Sequence, residues 1–206
     1  MLEVGLTGGI ACGKSAVRHR FEDKGVPTLD ADTVVHRLFE PDTAVTQELA
    51  SRFGERILAS DGAVDRKALG AIVFRDDSQR EQLEAIVHPR VFEAIDAFFT
   101  AARNNDDPVA VVDAALMYET GSHERYDRIV VAYCPRDLQK QRLKSRDNLS
   151  DEQAERRISA QMPVDEKRAR ADFVIDTSGT MDETLSRTDA VLEQLLKLAG
   201  KDQRKG

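Results

Sequence analysis

The sequence predicts an α/β fold of three layers, in which helices cover both faces of a mostly parallel five-stranded sheet. Five short apolar runs are nearly continuous rather than alternating, which is typical of strands that are buried on both faces. They lie at Leu2–Leu6, Val26–Leu29, Val109–Val112, Ile129–Tyr133 and Phe173–Ile175. Longer segments with helical spacing separate these runs, and strands that alternate with helices indicate a parallel sheet.

Three of the longer segments carry apolar residues at helical spacing: Lys14–Lys24, Ser78–Arg103 and Thr180–Leu198. The intervals 36–90 and 136–170 are also mostly helical and contain no convincing strand, so we interpret them as two helical insertions at the ligand-bearing edge of the sheet. The core is then expected to comprise residues 1–35, 91–135 and 171–206.

Length and charge narrow the class of protein. A chain of 206 residues accommodates one domain with insertions. Thirty Lys and Arg against 37 Asp and Glu give a net charge of −7, which argues against a general nucleic-acid binder, because such proteins carry a basic surplus. The interval 136–170 departs from this average, with ten basic residues against seven acidic ones.

No targeting signal is recognisable in the sequence. Met1–Leu6 lacks the basic start and long apolar segment of a signal peptide, and the longest apolar runs are too short to span a bilayer. Cys12 and Cys134 are far apart in the chain and match no metal-ligand spacing, so no disulfide framework is expected. We expect a cytoplasmic protein that binds neither nucleic acid nor a membrane.

A glycine-rich segment directly follows the first predicted strand and precedes a predicted helix. It reads Gly8-Gly9-Ile10-Ala11-Cys12-Gly13-Lys14-Ser15 and fits the pattern G-x-x-x-x-G-K-[ST]. In that context the backbone N–H groups and the helix dipole bind phosphates. Lys14 is expected to bridge the β- and γ-phosphates, and the Ser15 hydroxyl to bind Mg²⁺. None of the asparagines precedes a lysine, so a guanine-reading GTPase switch is disfavoured.

Three aspartates are expected at the carboxyl edge of the sheet, where open α/β sheets bind their ligands. Asp30 and Asp32 follow the second strand, and Asp113 follows the third. A carboxylate there accepts the proton of an attacking hydroxyl or holds Mg²⁺, and a kinase needs both. The alternative is ordinary capping, because aspartate is common at the start of a helix and in loops.

The interval 136–170 begins with a basic helix in which Arg142 and Arg146 share one face. Guanidinium groups above the phosphates stabilise charge that develops on a transferred phosphoryl group, and closure over them excludes water. The alternative is a solvated charged face. Five further basic residues of the interval are expected to be mostly solvated or ion-paired: Arg156, Arg157, Lys167, Arg168 and Arg170.

Taken in order, several short motifs resemble the dephospho-coenzyme A kinase family over about residues 2–195. They are Gly5–Ile10 with Gly13-Lys14-Ser15, Asp30-Ala31-Asp32 with Val34-Val35-His36, Ile86-Val87-His88-Pro89, Glu119-Thr120-Gly121, Gln139–Leu143 with Arg146, Gln161-Met162-Pro163 and Ala171–Asp176. The glycine-rich loop is shared by many families, whereas the Asp-Ala-Asp, His-Pro and Gln-Met-Pro motifs together are specific.

The resemblance implies a P-loop kinase fold and ATP-dependent phosphorylation of the ribose 3′-hydroxyl of dephospho-coenzyme A. Asp32 is then the general base, Lys14 and Arg142 stabilise the transferring phosphoryl group, interval 36–90 binds the acceptor and interval 136–170 is the lid. The ATP contacts would be Gly8, Gly9, Ala11, Cys12, Gly13, Lys14, Ser15, Ala16 and Arg146. The acceptor contacts would be Asp30, His88, Tyr118 and Glu119, and the Mg²⁺ ligands Ser15 and Asp113. A monomer or weak homo-oligomer is expected.

The chain departs from the family pattern at four places. Ala115–Glu119 replaces a Pro-Leu-Leu-Phe-Glu run and puts a hydroxyl on the aromatic ring, Ala16 replaces a threonine, Cys12 stands at a small-residue position, and Asp176-Thr177 replaces Asp-Asn near the adenine. His88-Pro89 also has a plain reading, as a helix interruption with a packed histidine. The rival functions are a nucleoside or nucleotide kinase and a nucleotide-binding regulator that changes shape.

Overall fold

A computed structural model describes residues 1–74 and 76–202. Its strands are β1 (Leu2–Gly8), β2 (Thr28–Asp30), β3 (Val109–Asp113), β4 (Arg128–Tyr133) and β5 (Phe173–Asp176). Its helices are α1 (Lys14–Asp23), α2 (Ala31–Leu38), α3 (Ala44–Phe53), α4 (Arg66–Val73), α5 (Asp77–Asn104), α6 (Arg136–Asp147), α7 (Asp151–Ser159), α8 (Val164–Arg170) and α9 (Met181–Asp202), with short 3₁₀ helices at Glu55–Ile57 and Ser122–Arg125.

The five strands form one sheet in the order β2-β3-β1-β4-β5, and all four neighbouring pairs are parallel. The predicted fold class is therefore confirmed. Because parallel strands end at the same edge, the residues that follow β1, β2 and β3 are brought together. Across this edge, Leu6 pairs with Asp113 and Asp113 pairs with Asp30.

The apolar side chains of the central strand β1 lie on one face of the sheet. Leu2, Val4 and Leu6 are buried in one cluster with Phe21 of α1 and Leu195 of α9. Each fully buried side chain of this size contributes about 1.5–3 kcal/mol relative to exposure. On the opposite face, Gly5 leaves room for Met117 and Ile129, which a Cβ at that position would overlap.

Two compact units make up the chain. The first comprises Met1–Asp30 and the chain from Phe99 onward, and it contains the whole sheet and the interval 136–170. The second, Ala31–Phe98, contains the predicted insertion 36–90 and has its own buried residues; these include Val45, Leu49, Phe53, Ile57 and Leu69. Arg75 and residues 203–206, which belong to the predicted ranges 36–90 and 171–206, lie outside the described residues.

Helix α5 runs unbroken through His88 and Pro89. The alternative reading of this motif as a helix interruption is therefore wrong. Proline removes one backbone hydrogen bond from a helix interior, but Val87, Val91 and Ile95 are buried at helical spacing around it. Their burial keeps the segment helical. Within the described ranges, none of the helices combines the length and apolar character that a membrane span requires.

Candidate active site

The glycine-rich loop begins where β1 ends at Gly8 and enters α1 at Lys14. Gly13 has φ 73°, a left-handed conformation that glycine adopts without steric cost. Gly9 lies so close to the side-chain amide of Gln139 that a Cβ there would overlap it. In the described part of the chain no side chain caps the amino end of α1. The Ala16 N–H of the first turn donates to the Gly13 carbonyl at 3.0 Å, whereas the N–H groups that precede it at this uncapped helix end can bind an anion, as in a phosphate site.

Cys12 of the loop lies against Cys134, which follows β4. The two sulfur atoms are 3.4 Å apart, both side chains are buried and both thiols are free. The hydrogen bond with Cys134 and burial raise the pKa of the Cys12 thiol. The bond with Cys12 and the charge of Arg142 hold the pKa of Cys134 below its usual value. The Cys12 side chain thus packs in the interior and is not turned toward solvent.

A cluster of charged side chains lies at the carboxyl ends of β2 and β3. Lys14 forms an ion pair with Asp113. Arg18 contacts three carboxylates: Nη1 donates to Glu22 Oε1 at 2.6 Å, Nε lies 3.4 Å from Asp113 Oδ2, and Nη2 lies 3.7 Å from Asp30 Oδ2. Only 1% of the Asp113 side chain is exposed, and this burial raises its pKa, while Lys14 opposes the rise. The nearby cations therefore offset part of the cost of burying this carboxylate.

The oxygen ligands at this edge fit a magnesium ion that is coordinated partly by the protein and partly by a nucleotide. Asp113 supplies a buried carboxylate, and Ser15 supplies an exposed hydroxyl in the first turn of α1. Among the described residues no group of three or more His, Cys, Asp or Glu side chains is arranged to hold a metal by itself. Mg²⁺ characteristically takes one or two protein ligands and completes its shell with phosphate oxygens and water.

A cavity of about 280 Å³ opens beside the loop. Its lining combines loop residues with α6 and the segment after β5: Ala11, Gly13, Ala16, Arg142, Thr177, Gly179, Met181 and Thr184. Arg142 donates from Nη2 to the carbonyl of Thr177 at 2.7 Å, and from Nη1 to its hydroxyl at 3.3 Å. The Thr177 hydroxyl lies 2.9 Å from the carbonyl of Cys12. Thr177 therefore joins the loop, β5 and Arg142 at one wall of the cavity.

Arg146 does not line this cavity. Its side chain is 58% exposed and makes a two-pronged ion pair with the adjacent Asp147, at 2.8 and 3.1 Å. Arg157 binds the same carboxylate at 2.6 Å. Arg142 and Arg146 share a helix face in the sequence pattern, but the structure brings only Arg142 to the loop.

Two predicted acceptor contacts lie in the segment after β3. Tyr118 is 6% exposed, its ring is 4.9 Å from that of His123, and its buried hydroxyl has no hydrogen-bond partner within the described ranges. Glu119 accepts a hydrogen bond from the Met162 N–H at 2.8 Å and is paired with Lys167 at 2.8 Å. Both side chains are thus engaged with protein groups, and their acceptor contacts stay predictions.

The buried end of Lys167 is the least expected feature of interval 136–170. Its side chain is fully buried, and Nζ donates to the carbonyl of Ala115 at 2.8 Å as well as to Glu119. Burial lowers the pKa of Lys167, and the nearby Glu119 carboxylate opposes this. The expectation that this residue is solvated or ion-paired is met by the ion pair with Glu119, and the burial of that pair was not expected.

Of the other residues predicted to act on the acceptor, Asp30 belongs to the first unit, and Asp32 and His88 belong to the second. Asp32 is exposed in the first turn of α2, two residues after Asp30 ends β2. An acidic side chain at this position also interacts favourably with the helix dipole. His88 is half-buried in α5, with its ring 5.8 Å from that of Phe92.

Several side chains at the loop were not predicted to take part in the site. Arg18 is detectable from its spacing, because it lies four residues after Lys14 on the same face of α1. Gln139 and Gln161 stand in motifs that resemble the family, and Thr177 in a segment expected near the adenine, but a neutral side chain in such a motif does not reveal which group it contacts. Their positions depend on contacts between residues that are more than 100 positions apart.

A parallel sheet whose central strand leads into this loop, with a lysine and a neighbouring strand-end aspartate in contact, defines the class of P-loop nucleotide-binding proteins. The dephospho-CoA kinase family model matches residues 2–183. A dephospho-CoA kinase of Anaeromyxobacter dehalogenans is 43% identical over 95% of this chain and 92% of its own length. The chain belongs to the dephospho-CoA kinase family.

Solved structures agree with this assignment. A Thermus thermophilus protein superimposes with a TM-score of 0.82 and 33% identity over 94% of this chain and 97% of that one. A dephospho-CoA kinase from Campylobacter jejuni gives a TM-score of 0.71 and 27% identity over 95% of this chain and 97% of its own. The resemblance found in the motifs is thereby confirmed over nearly the whole sequence.

Proposed function

We propose that this chain transfers the γ-phosphoryl group of ATP to the ribose 3′-hydroxyl of dephospho-coenzyme A, which gives coenzyme A and ADP. The observation that carries the proposal is the contact of Lys14 with Asp113 at the mouth of the glycine-rich loop, in a chain of the dephospho-CoA kinase family. In this proposal the lysine would bind phosphate and the neighbouring carboxylate would hold a metal.

The phosphate-binding groups have separate tasks in this proposal. The loop amides and the amino end of α1 bind the phosphates, and Lys14 bridges the β- and γ-phosphates. Ser15 and Asp113 would hold Mg²⁺, which supplies charge neutralisation on the phosphate oxygens when it is bound. Arg18 keeps the Asp113 carboxylate in place through its 3.4 Å contact.

Arg142 is proposed to stabilise charge on the transferring phosphoryl group. Its hydrogen bonds to Thr177 hold the guanidinium at the wall of the cavity beside the loop, and a fixed cation costs no reorganisation as charge develops. Arg146 is proposed to contact ATP, for which its exposed ion pair with Asp147 would have to open.

Asp32 is proposed as the general base that accepts the proton of the acceptor hydroxyl. It is an exposed carboxylate that follows the carboxyl end of an edge strand by two residues. Asp30, His88, Tyr118 and Glu119 are proposed to contact the acceptor, interval 36–90 to bind it and interval 136–170 to close as a lid. A cytoplasmic location, a monomeric or weakly associated state and the lack of nucleic-acid binding also stay predictions.

An ADP-release assay with dephospho-coenzyme A, adenosine and nucleoside monophosphates tests the proposal. We expect stimulation by dephospho-coenzyme A alone; stimulation by a nucleoside or its monophosphate indicates the rival kinase, and none by dephospho-coenzyme A refutes the proposal. Asp32→Asn is expected to lower turnover by about 10²–10⁴-fold and to spare ATP affinity, because general-base catalysis contributes on that scale. Asp182→Asn is the matched control, since Asp182 is also exposed in the first turn of a helix.

A further inference from the structure

Two glutamines hold successive peptide groups of the glycine-rich loop. The N–H of Ile10 donates to Gln161 Oε1 at 2.9 Å, and the carbonyl of Ile10 accepts from Gln139 Nε2 at 3.0 Å. Gln139 lies on α6 and Gln161 in the turn between α7 and α8, so both come from interval 136–170. The main chain on either side of the Ile10 Cα is thereby fixed from outside the loop.

The residue that follows Ile10 has an unfavourable backbone conformation. Ala11 lies at φ 60°, in the left-handed region that residues with a Cβ avoid. For an alanine the left-handed conformation is less populated by roughly an order of magnitude, and it persists where the surroundings over-determine it. Rotation about φ of Ala11 turns its amide peptide group, whose oxygen is the Ile10 carbonyl. The Gln139 bond therefore holds Ala11 in the left-handed region.

Both glutamines are themselves anchored. Gln139 is only 3% exposed and packs against Gly9, where a Cβ would overlap its amide nitrogen. Gln161 is followed by Met162, whose N–H donates to Glu119, and that carboxylate is paired with the fully buried Lys167. Neither side chain is therefore free to leave the loop without disturbing buried contacts.

We infer that Gln139 and Gln161 are positioning residues of this kinase: they hold the loop in the conformation that receives the ATP phosphates, and so make nucleotide affinity depend on how interval 136–170 is docked. The inference rests on the proposed use of ATP at this loop. When a binding-competent conformation is only partly populated, the apparent dissociation constant rises in inverse proportion to its population. The bonds to Ile10 raise that population.

The first test replaces each glutamine with methionine, which has similar length and no amide. We expect Gln139→Met and Gln161→Met each to raise the dissociation constant of ATP by about tenfold, with kcat at saturating ATP within about threefold of wild type. The control is Gln153→Met, because Gln153 caps α7 within the same interval and its amide oxygen contacts Ser150, not the loop. An equal loss of affinity in Gln153→Met would overturn the inference, since it would report only a weakened helix.

The second test asks whether Gln139 acts through Ala11. Glycine adopts the left-handed conformation without the cost of a Cβ. The loss of ATP affinity that Gln139→Met causes should therefore be at least threefold smaller when it is measured in the Ala11→Gly variant, relative to Ala11→Gly alone, than when it is measured relative to wild type. An undiminished loss in the Ala11→Gly variant overturns this account of Gln139.

The failure of this inference and the failure of the proposed function are distinguishable because ATP affinity is measured without acceptor. A wild type that binds ATP but leaves dephospho-coenzyme A unphosphorylated overturns only the proposed function. Active glutamine variants with wild-type ATP affinity overturn only this inference.

Discussion

Replacing Lys167 with methionine removes a fully buried cation from the contact between α8 and the segment after β3. Methionine keeps most of the aliphatic volume but leaves the Glu119 carboxylate without its charged partner. Breaking a fully buried ion pair in this way costs about 3–5 kcal/mol. Glu119 is 22% exposed and keeps the hydrogen bond from Met162, so water and that bond recover part of the loss. We expect a cost of about 2 kcal/mol.

Urea unfolding measures this loss in the free energy of unfolding directly. For a chain of this size, a loss of about 2 kcal/mol corresponds to a fall in Tm of about 4–8 °C. Lys144→Met is the matched control on the same interval, because Lys144 pairs with Asp151 at the surface and its side chain is 39% exposed. A surface pair contributes about 0–1 kcal/mol. A loss in Lys167→Met no larger than in Lys144→Met would refute the importance of burial.

The double variant Lys167→Met with Glu119→Gln separates the charge from the packing. A neutral amide oxygen still accepts from the Met162 N–H, and no carboxylate is left unpaired. The double variant is therefore expected to be about as stable as Lys167→Met or more stable, and to cost at least about 1 kcal/mol less than the two single variants together. Additive costs would contradict an ion pair in which each partner stabilises the other.

Three further variants or conditions test other contacts. Ala11→Gly should raise the free energy of unfolding by up to about 1 kcal/mol in urea, because relief at φ 60° exceeds the extra entropy of an unfolded glycine; a loss of stability would contradict this. Because burial lowers the pKa of Lys167, the unfolded chain binds more protons between the folded and unfolded pKa values. The difference in free energy of unfolding between wild type and Lys167→Met should therefore increase as pH rises through that window. A difference that decreases between neutral and alkaline urea titrations would contradict this. Arg142→Ala should lower kcat/KM for ATP about a hundredfold or more, equivalent to roughly 3–4 kcal/mol; steady-state kinetics in which KM alone changes would reassign Arg142 to nucleotide binding.

The sheet and the loop were predictable because their signals are local. Each strand is a continuous apolar run, and the motif that ends at Ser15 follows the first of them. The location of Asp30 and Asp113 at one edge also follows from the sequence, because each ends a strand of a predicted parallel sheet. Periodicity and strand direction are sufficient for this much. The structure adds that these strands are neighbours and that the two residues are in register.

The rest depends on contacts that local patterns do not encode. Lysine is usually exposed at the surface, yet Lys167 is buried because a carboxylate and a carbonyl from the segment after β3 bind its ammonium group. Pro89 is locally a helix breaker, yet buried neighbours carry α5 through it. Glutamine amides bind either donors or acceptors, so only the folded backbone of Ile10 assigns the roles of Gln139 and Gln161.

Because Cys12 packs against Cys134, the reactivity of these two thiols reports on opening of the glycine-rich loop. Both thiols are almost completely inaccessible, with exposures of 1% and 0%, so a maleimide or an aromatic disulfide reaches Cys12 only when the loop swings away from β4. Alkylation in the native state therefore proceeds at the frequency of that opening, in the manner of amide hydrogen exchange. A ligand that closes the loop protects both thiols by the factor by which it suppresses opening. The opening frequency of the glycine-rich loop is thus measurable on the native sequence without an introduced probe.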